Sequence, residues 1–305
     1  MTTRASAAAN DRAMRIEWVT LGLITATYAG WAGALWLLPV WLAVPALIGL
    51  IALHASLTHE VLHGHPFRSK WGNEALMQLP LNLAIPYERF RDLHLAHHRN
   101  ENLTDPYDDP ETNYLDPAVW AAMPRWKQRL FALNNTLMGR ILLGPAIGQA
   151  VFMADEWRLI RSGDHAVIRA WALHLAGAAV VLALVGAAGM PIWSYLIAAY
   201  GGLGLLRIRT FLEHQAHEKV RGRTVIIEDR GPLAFLFLNN NLHVVHHMHP
   251  KVAWYRLPTL YRANKDRYLA RNDGYFFASY AEVFRRYLWR AKDPVPHPIW
   301  RPRAR

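Results

Sequence analysis

Forty-one consecutive residues carry no charge between Trp18 and Thr58, and the stretch from Trp171 to Leu206 is uncharged as well. A helix needs roughly 20 apolar residues to cross the hydrocarbon of a bilayer. Each tract is therefore too long for one span and suits a hairpin of two. Pro39 and Pro45 punctuate the first tract, and Gly186, Gly189 and Pro191 the second, as turn residues do. The expected architecture is an all-α integral membrane protein with four spans, near 18–38, 40–58, 171–188 and 192–207. Uncharged tracts of this length are rare in soluble helices, which opposes a reading as buried core hairpins. Charged residues make up 19% of the chain, against roughly 25% in soluble domains.

The flanking charges set the topology. Arg4, Arg12 and Arg15 precede the first span, and Arg68 and Lys70 follow the second. Arg158, Arg161 and Arg169 precede the third, and Arg207 and Arg209 follow the fourth, while the hairpin turns hold no Lys or Arg. The positive-inside rule then puts both termini and the central region in the cytoplasm, and a bacterial inner membrane is the expected location. The whole chain, 1–305, reads as a single domain: hairpins near 18–58 and 171–207, and a cytoplasmic helical cap from 59–170 and 208–305. Within the cap, Trp126 to Phe152 has apolar residues at helical spacing and reads as an interfacial or cap helix. Leu233 to His247 reads as another helix, and the Pro-rich tail after Asp293 as extended. Met1 to Asp11 is polar and alanine-rich, so no cleavable signal is expected.

With no cysteine in the chain, disulfides, thiolate catalysis and iron–sulfur ligation are excluded. The net charge of +11 suits anionic lipid headgroups or an acidic protein partner. Nucleic acid is not expected, because no nucleic-acid motif is visible.

Sixteen histidines remain, and they cluster. His59-Glu60-Val61-Leu62-His63 places two imidazoles at i and i+4, on one helical face and within reach of one metal. His94-Leu95-Ala96-His97-His98 and His243-Val244-Val245-His246-His247 each offer i, i+3 and i+4. A fourth element, Glu213-His214-Gln215-Ala216-His217, follows the last span. All four sit at or beyond the cytoplasmic ends of spans and can converge on one membrane face. So many imidazoles exceed one tetrahedral zinc and suit two metals, although imidazole alone does not name the metal. Soluble di-iron bundles pair Glu with Glu-x-x-His. Glu60 and His63 make one such pair, but no second stands beside another cluster, so an all-histidine site is preferred.

His-x-x-x-His followed by two His-x-x-His-His boxes around two membrane hairpins resembles the membrane fatty acid desaturase superfamily, which includes alkane hydroxylases and carotenoid ketolases. The resemblance covers about residues 18–270. Arg209 to His214 resembles the extra histidine segment after the last span. Asn239-Asn240-Asn241 resembles the lead into the third box, and Thr104-Asp105-Pro106 the stretch after the second. The resemblance implies two Fe ions that activate O2 and attack an unactivated C–H bond. It also implies His59, His63, His94, His97, His98, His214, His243, His246 and His247 as metal ligands. His217 is the alternative to His214, four residues after Glu213 where acyl-CoA desaturases carry Asn. Glu60, Glu213, Asn241, Asp105 and Asp108 are further candidates, able to ligate or to accept imidazole N–H bonds. His54, His165, His174, His249 and His297 match no box. His174, inside a span, is expected to bond another helix or line the cavity. His165 and His297 are expected to be solvated.

The expected function is O2-dependent oxidation of a lipid or hydrocarbon chain, most simply fatty acyl desaturation, with hydroxylation as the alternative outcome. No bound organic cofactor is expected, so electrons must come from an external ferredoxin, rubredoxin or cytochrome-type protein. Two other classes compete. His59-Glu60-x-x-His63 is also the zinc metalloprotease sequence, with Glu60 as general base, but that leaves two boxes unexplained. A metal carrier would spread polar groups through the spans, and these histidines gather at one face.

Overall fold

A computed structural model describes residues 16–99 and 102–301. The first tract folds into two helices, α1 (Trp18–Leu37) and α2 (Val40–Leu62). Leu38 is extended between them, at φ −105° and ψ 142°, because the residue before a proline avoids the helical region. α2 runs past the expected end at 58 and carries His59 on its final turn, with His63 as the residue that caps it. It stops where Gly64 takes φ +103°, a conformation glycine adopts without a Cβ penalty.

The second tract gives α5 (His165–Ala187) and α6 (Ile192–Thr210), preceded in the chain by α3 (Tyr87–Arg99) and α4 (Leu137–Arg161) and followed by α7 (His243–Met248). Asp164 caps α5 by accepting the amide hydrogens of Ala166 and Val167, partners the first turn otherwise lacks. Inside the bundle, α2 packs on α6 through small residues. A Cβ on Gly202 would stand 2.8 Å from Ile51, so glycine permits this close approach. Trp31 of α1 donates to the hydroxyl of Tyr195 on α6, which donates to the Leu81 carbonyl. These bonds satisfy polar groups amid Leu47, Ile51, Val181 and Ala198.

Among the described residues, three helices are long and apolar enough to cross a membrane by length and composition: α2, α4 and α5. α4 is a departure from expectation. The stretch 126–152 reads in sequence as one helix, but the structure divides it into Arg125–Asn134 and the longer α4. Thr136 begins the second by capping Gly139, and hydroxyl capping starts a helix regardless of apolar spacing. α1 and α6 form the expected hairpin partners, but Thr and Trp in the one and Arg207 and Arg209 in the other dilute their apolar character. Arg4, Arg12 and Arg15, the charges before the first span, lie outside the described residues.

The remaining chain packs on the end of the bundle where α2 and α6 finish. Leu137, Ile208, Phe211, Phe237 and Val283 make one cluster there; Ile226, Val244, Val245, Leu257 and Tyr261 make another. A short parallel pairing of β1 (Ile226–Ile227) with β2 (Phe276–Phe277) ties them. The Pro-rich tail is bound rather than loose: Leu115 N–H donates to the Val295 carbonyl and His297 N–H to that of Leu115. His297 is therefore not solvated but 4% exposed, 3.1 Å from Thr104 Oγ1 and edge-on to Tyr114. Its burial comes from a loop nearly two hundred residues away, which no local pattern in the tail announces. His165 is exposed as expected, and His174 lies 3.3 Å from the Leu83 carbonyl.

Candidate metal centre

The nine histidines of the three boxes and the segment after α6 fall into two groups. The first is His59, His63, His94, His98 and His246, and the second His97, His214, His243 and His247. Within each group one nitrogen per imidazole lies within 4.8 Å of every other. Helical spacing explains the division. His59 and His63 share a face of α2, and His94 and His98 a face of α3, at i and i+4. His243 and His247 do the same on α7, so the i+3 members, His97 and His246, turn to the opposite group. The two groups adjoin: His98 and His247 stack with ring centres 4.1 Å apart.

The nitrogen spacings suit a metal. His97 Nε2 lies 2.9 Å from His214 Nε2, which lies 3.2 Å from His243 Nε2. His243 Nε2 is 3.1 Å from that of His247, and His246 Nε2 is 3.2 Å from that of His98. With metal–nitrogen bonds of about 2.0–2.1 Å, neighbouring ligand nitrogens stand about 2.9–3.4 Å apart. Buried Nε2 atoms of His59, His63 and His94 also lack any hydrogen-bond partner, which a buried polar atom does not tolerate without another use. Metal ligation supplies that use, and the donor set fits two borderline cations.

The outer nitrogens are held. His94 Nδ1 is 2.8 Å from Glu111 Oε1, and His97 Nδ1 is 2.7 Å from Asp109 Oδ1. His243 Nδ1 is 3.1 Å from Asn240 Oδ1, and Asn240 in turn donates to Glu213. Such partners fix the tautomer and aim the inner nitrogen at the metal. Arg209 lies 3.0 Å from Glu213 and Lys292 donates to the His214 carbonyl, so this irregular ligand segment is braced from both sides.

Electrostatics favour neutral imidazoles, the form that binds metal. Burial lowers the basicity of His63, His214, His243, His246 and His247 well below the ordinary value. Burial, with His94 and His97 nearby, pushes His98 down to about 3. His97 differs. Burial opposes its charge, but Glu111 and Asp109 outweigh that and raise it to about 9. An acidic pair that draws a proton to His97 equally favours a cation at its inner nitrogen. Glu111 is held below the usual carboxylate range: burial works against its charge, and His94, His97 and Arg209 prevail.

Several other sequence candidates lie elsewhere. His217 belongs to neither group: it contacts the backbone of Lys219 and lies 3.8 Å from Asp273. Glu60 forms a separate cluster with Glu17 and His65 and accepts the Trp254 amide, because one residue along a helix turns its side chain about 100° away from that of His59. Asp105 accepts from the amides of Tyr107 and Asp108 and from Trp300 Nε1, a turn role rather than an imidazole contact. Asp108 accepts from Asn102. Asn241 donates to the carbonyls of Ile227 and Asp229, fastening the third box to β1. Of the residues that touch the imidazoles, Asn240 stands in the Asn-rich lead into the third box, but Asp109 and Glu111 are not singled out by the sequence; acidic residues a dozen positions after a histidine box are the available signal.

A family model described as fatty acid desaturase matches residues 35–279, a span that holds all nine histidines. The chain belongs to the fatty acid desaturase family. A beta-carotene ketolase from Paracoccus sp. (strain N81106 / MBIC 01143) is 27% identical over 258 residues, covering 79% of this chain and 90% of the ketolase. This desaturase-family chain is accordingly an oxidoreductase of a membrane-associated, metal-dependent family. Its C-terminal segment, including Lys292 and His297, lies beyond the matched residues.

Proposed function

We propose that this desaturase-family protein holds two irons, five imidazoles facing one and four the other, and oxidises an unactivated C–H bond in a membrane-held hydrocarbon chain. The observation that carries this reading is the convergence of nine imidazoles in two adjoining groups at the end of an apolar bundle. Iron bound there would supply O2 activation and hydrogen removal. The chain's own residues do the rest. Glu111, Asp109 and Asn240 orient the rings. Burial keeps most of them neutral and excludes water from the reacting centre. The apolar spans confine the hydrocarbon, which converts a chance encounter into a positioned one.

Acyl desaturation is the first product expected, in keeping with the family. Oxygenation of a hydrocarbon is the second, supported by the likeness to a protein named for ketolation of beta-carotene. The two share the first hydrogen abstraction and diverge at the second step, where either another hydrogen leaves or oxygen is added. Electrons are expected from an acidic ferredoxin, rubredoxin or cytochrome-type donor meeting the basic surface on the cytoplasmic side. The protease alternative has no support at Glu60, which a metalloprotease needs beside the metal. The metal-carrier alternative gains nothing from a site whose ligands are so firmly braced.

The test is purification in detergent with metal analysis, then product analysis in membranes under isotopically labelled O2. Two irons per chain and lipids with new double bonds or labelled oxygen are expected; His97→Ala is expected to lose the iron of the four-imidazole group and to form neither product. A single zinc, or lipids unchanged by that substitution, would overturn the proposal.

A further inference from the structure

Exposed tryptophans gather at both ends of the bundle, and the two sets differ. Trp36 and Trp41 flank the first hairpin turn, and Trp193 sits beside the second; no Lys or Arg stands near any of them in sequence. At the metal end, Trp71, Trp126, Trp157 and Trp289 are 57–73% exposed and each has a basic residue next to it in sequence, while Trp18, also exposed there, stands beside Glu17. Lys127 lies 5.5 Å from the Trp126 ring and Arg161 is 5.9 Å from that of Trp157. Arg125, Arg129 and Arg290 are exposed around them.

These four tryptophans share one level of the molecule. Trp71 follows the end of α2, and Trp126 lies in the helix leading into α4. Trp289 adjoins Leu288, whose carbonyl accepts the Met138 amide at the start of α4. Trp157 is near the end of α4, where Glu156 accepts from Trp171 of α5. The course of α4 is set by the same contacts. Its start packs beside Ile208 and Phe211 at the end of α6, and its end is a short turn from the start of α5. The α5–α6 hairpin places those two points on one side of the bundle. Although α4 is long and apolar enough to cross a membrane, both its ends are on the same face.

We infer that α4 lies along the bilayer surface, and that the paired tryptophans and basic side chains of this collar bind anionic phospholipid headgroups. Indole rings settle at the level of the headgroups, and a basic residue there attracts anionic lipid on the order of fivefold. The far end, with tryptophan and no cation, has only the first of these attractions. The inference is independent of what the metal centre does.

The absence of cysteine from the chain makes the test direct. Arg129→Cys and Ser162→Cys introduce single thiols at exposed positions before and after α4. A membrane-impermeant maleimide is applied to right-side-out and inside-out vesicles. Both thiols are expected to react from the same face; reaction from opposite faces would make α4 a span and overturn the inference. For the lipid, tryptophan quenching is compared in vesicles of brominated phosphatidylglycerol and of brominated phosphatidylcholine. Stronger quenching by the anionic lipid is expected, lost in the triple variant Lys127→Gln, Arg161→Gln, Arg290→Gln. Equal quenching by both lipids, or a difference that survives the variant, would refute headgroup binding.

Discussion

The two imidazole groups meet at one centre but are built differently. Four of the five rings in the first group come from i, i+4 pairs on α2 and α3, and the fifth, His246, from α7. Three of the four in the second group also come from helices, but His214 comes from an irregular segment after α6. Helical rings take their direction first from backbone geometry, with Glu111, Asp109 and Asn240 steadying three of them, whereas His214 is aimed by contacts with distant chain: its carbonyl accepts from Lys292, and the Ala216 amide donates to Tyr114. The first group should therefore tolerate damage, and the second should depend on bracing.

The largest effect that can break this comparison is loss of a ligand. His214→Ala leaves three imidazoles in its group, and His63→Ala leaves four in the other. Both are expected to abolish turnover. Iron analysis and Mössbauer spectroscopy should show His214→Ala with its site empty and the five-imidazole site filled, while His63→Ala keeps more of its metal. Equal loss of both irons in either variant would mean that the two groups are not separate sites.

The carboxylates give the next largest effect. Asp109 serves His97 in the second group and Glu111 serves His94 in the first. Loss of such a partner commonly costs about 10–100-fold in metal affinity. Asp109→Ala should thus weaken the four-imidazole site and Glu111→Ala the five-imidazole site, read by competition with a chelator. Asp109, with almost no exposed surface, should show the larger change.

Lys292→Met should act more gently and on one group only. The side chain is 11% exposed, and its ammonium is near Asp293 and the Tyr114 ring as well as the His214 carbonyl. A hydrogen bond from a charged group is worth about 1.5–3 kcal/mol. The expected result is faster iron loss from the four-imidazole site with the other unaffected, and rescue by Lys292→Arg. Uniform destabilisation in thermal unfolding, with both irons lost together, would reduce Lys292 to a general packing role.

These contrasts also mark what the sequence disclosed. The box ligands were legible because their spacing is helical, and helical spacing fixes direction. The hairpins were legible because uncharged tracts have few homes. Supporting residues were not, since loop direction depends on tertiary contacts. Asp105 was the expected acid, but a turn consumes its oxygens, and Thr104 at φ 73° redirects the chain so that Asp109 reaches the ring instead. Asn241 and Asn240 are neighbours, and only the second meets His243. The positive φ values at Leu238 and Asn239 rotate the lead-in, a change that composition does not report. The length of α4 likewise depends on a cap at Thr136 rather than on periodicity.

The smallest expected effect concerns the choice between His214 and His217. Both stand just beyond α6, both are histidines beside polar neighbours, and the sequence left either open. The structure separates them by environment. His214 is half-buried with an inner nitrogen 2.9 Å from that of His97, whereas His217 packs against Gly222 and faces Lys219 and Asp273 near the surface. His217→Ala removes a partly exposed ring and should change stability by no more than about 0.5 kcal/mol, with two irons retained and the iron spectrum unaltered. If His217→Ala instead emptied the four-imidazole site as His214→Ala does, the irregular segment would have to place the other histidine at the metal, and the bracing by Lys292 would lose its meaning.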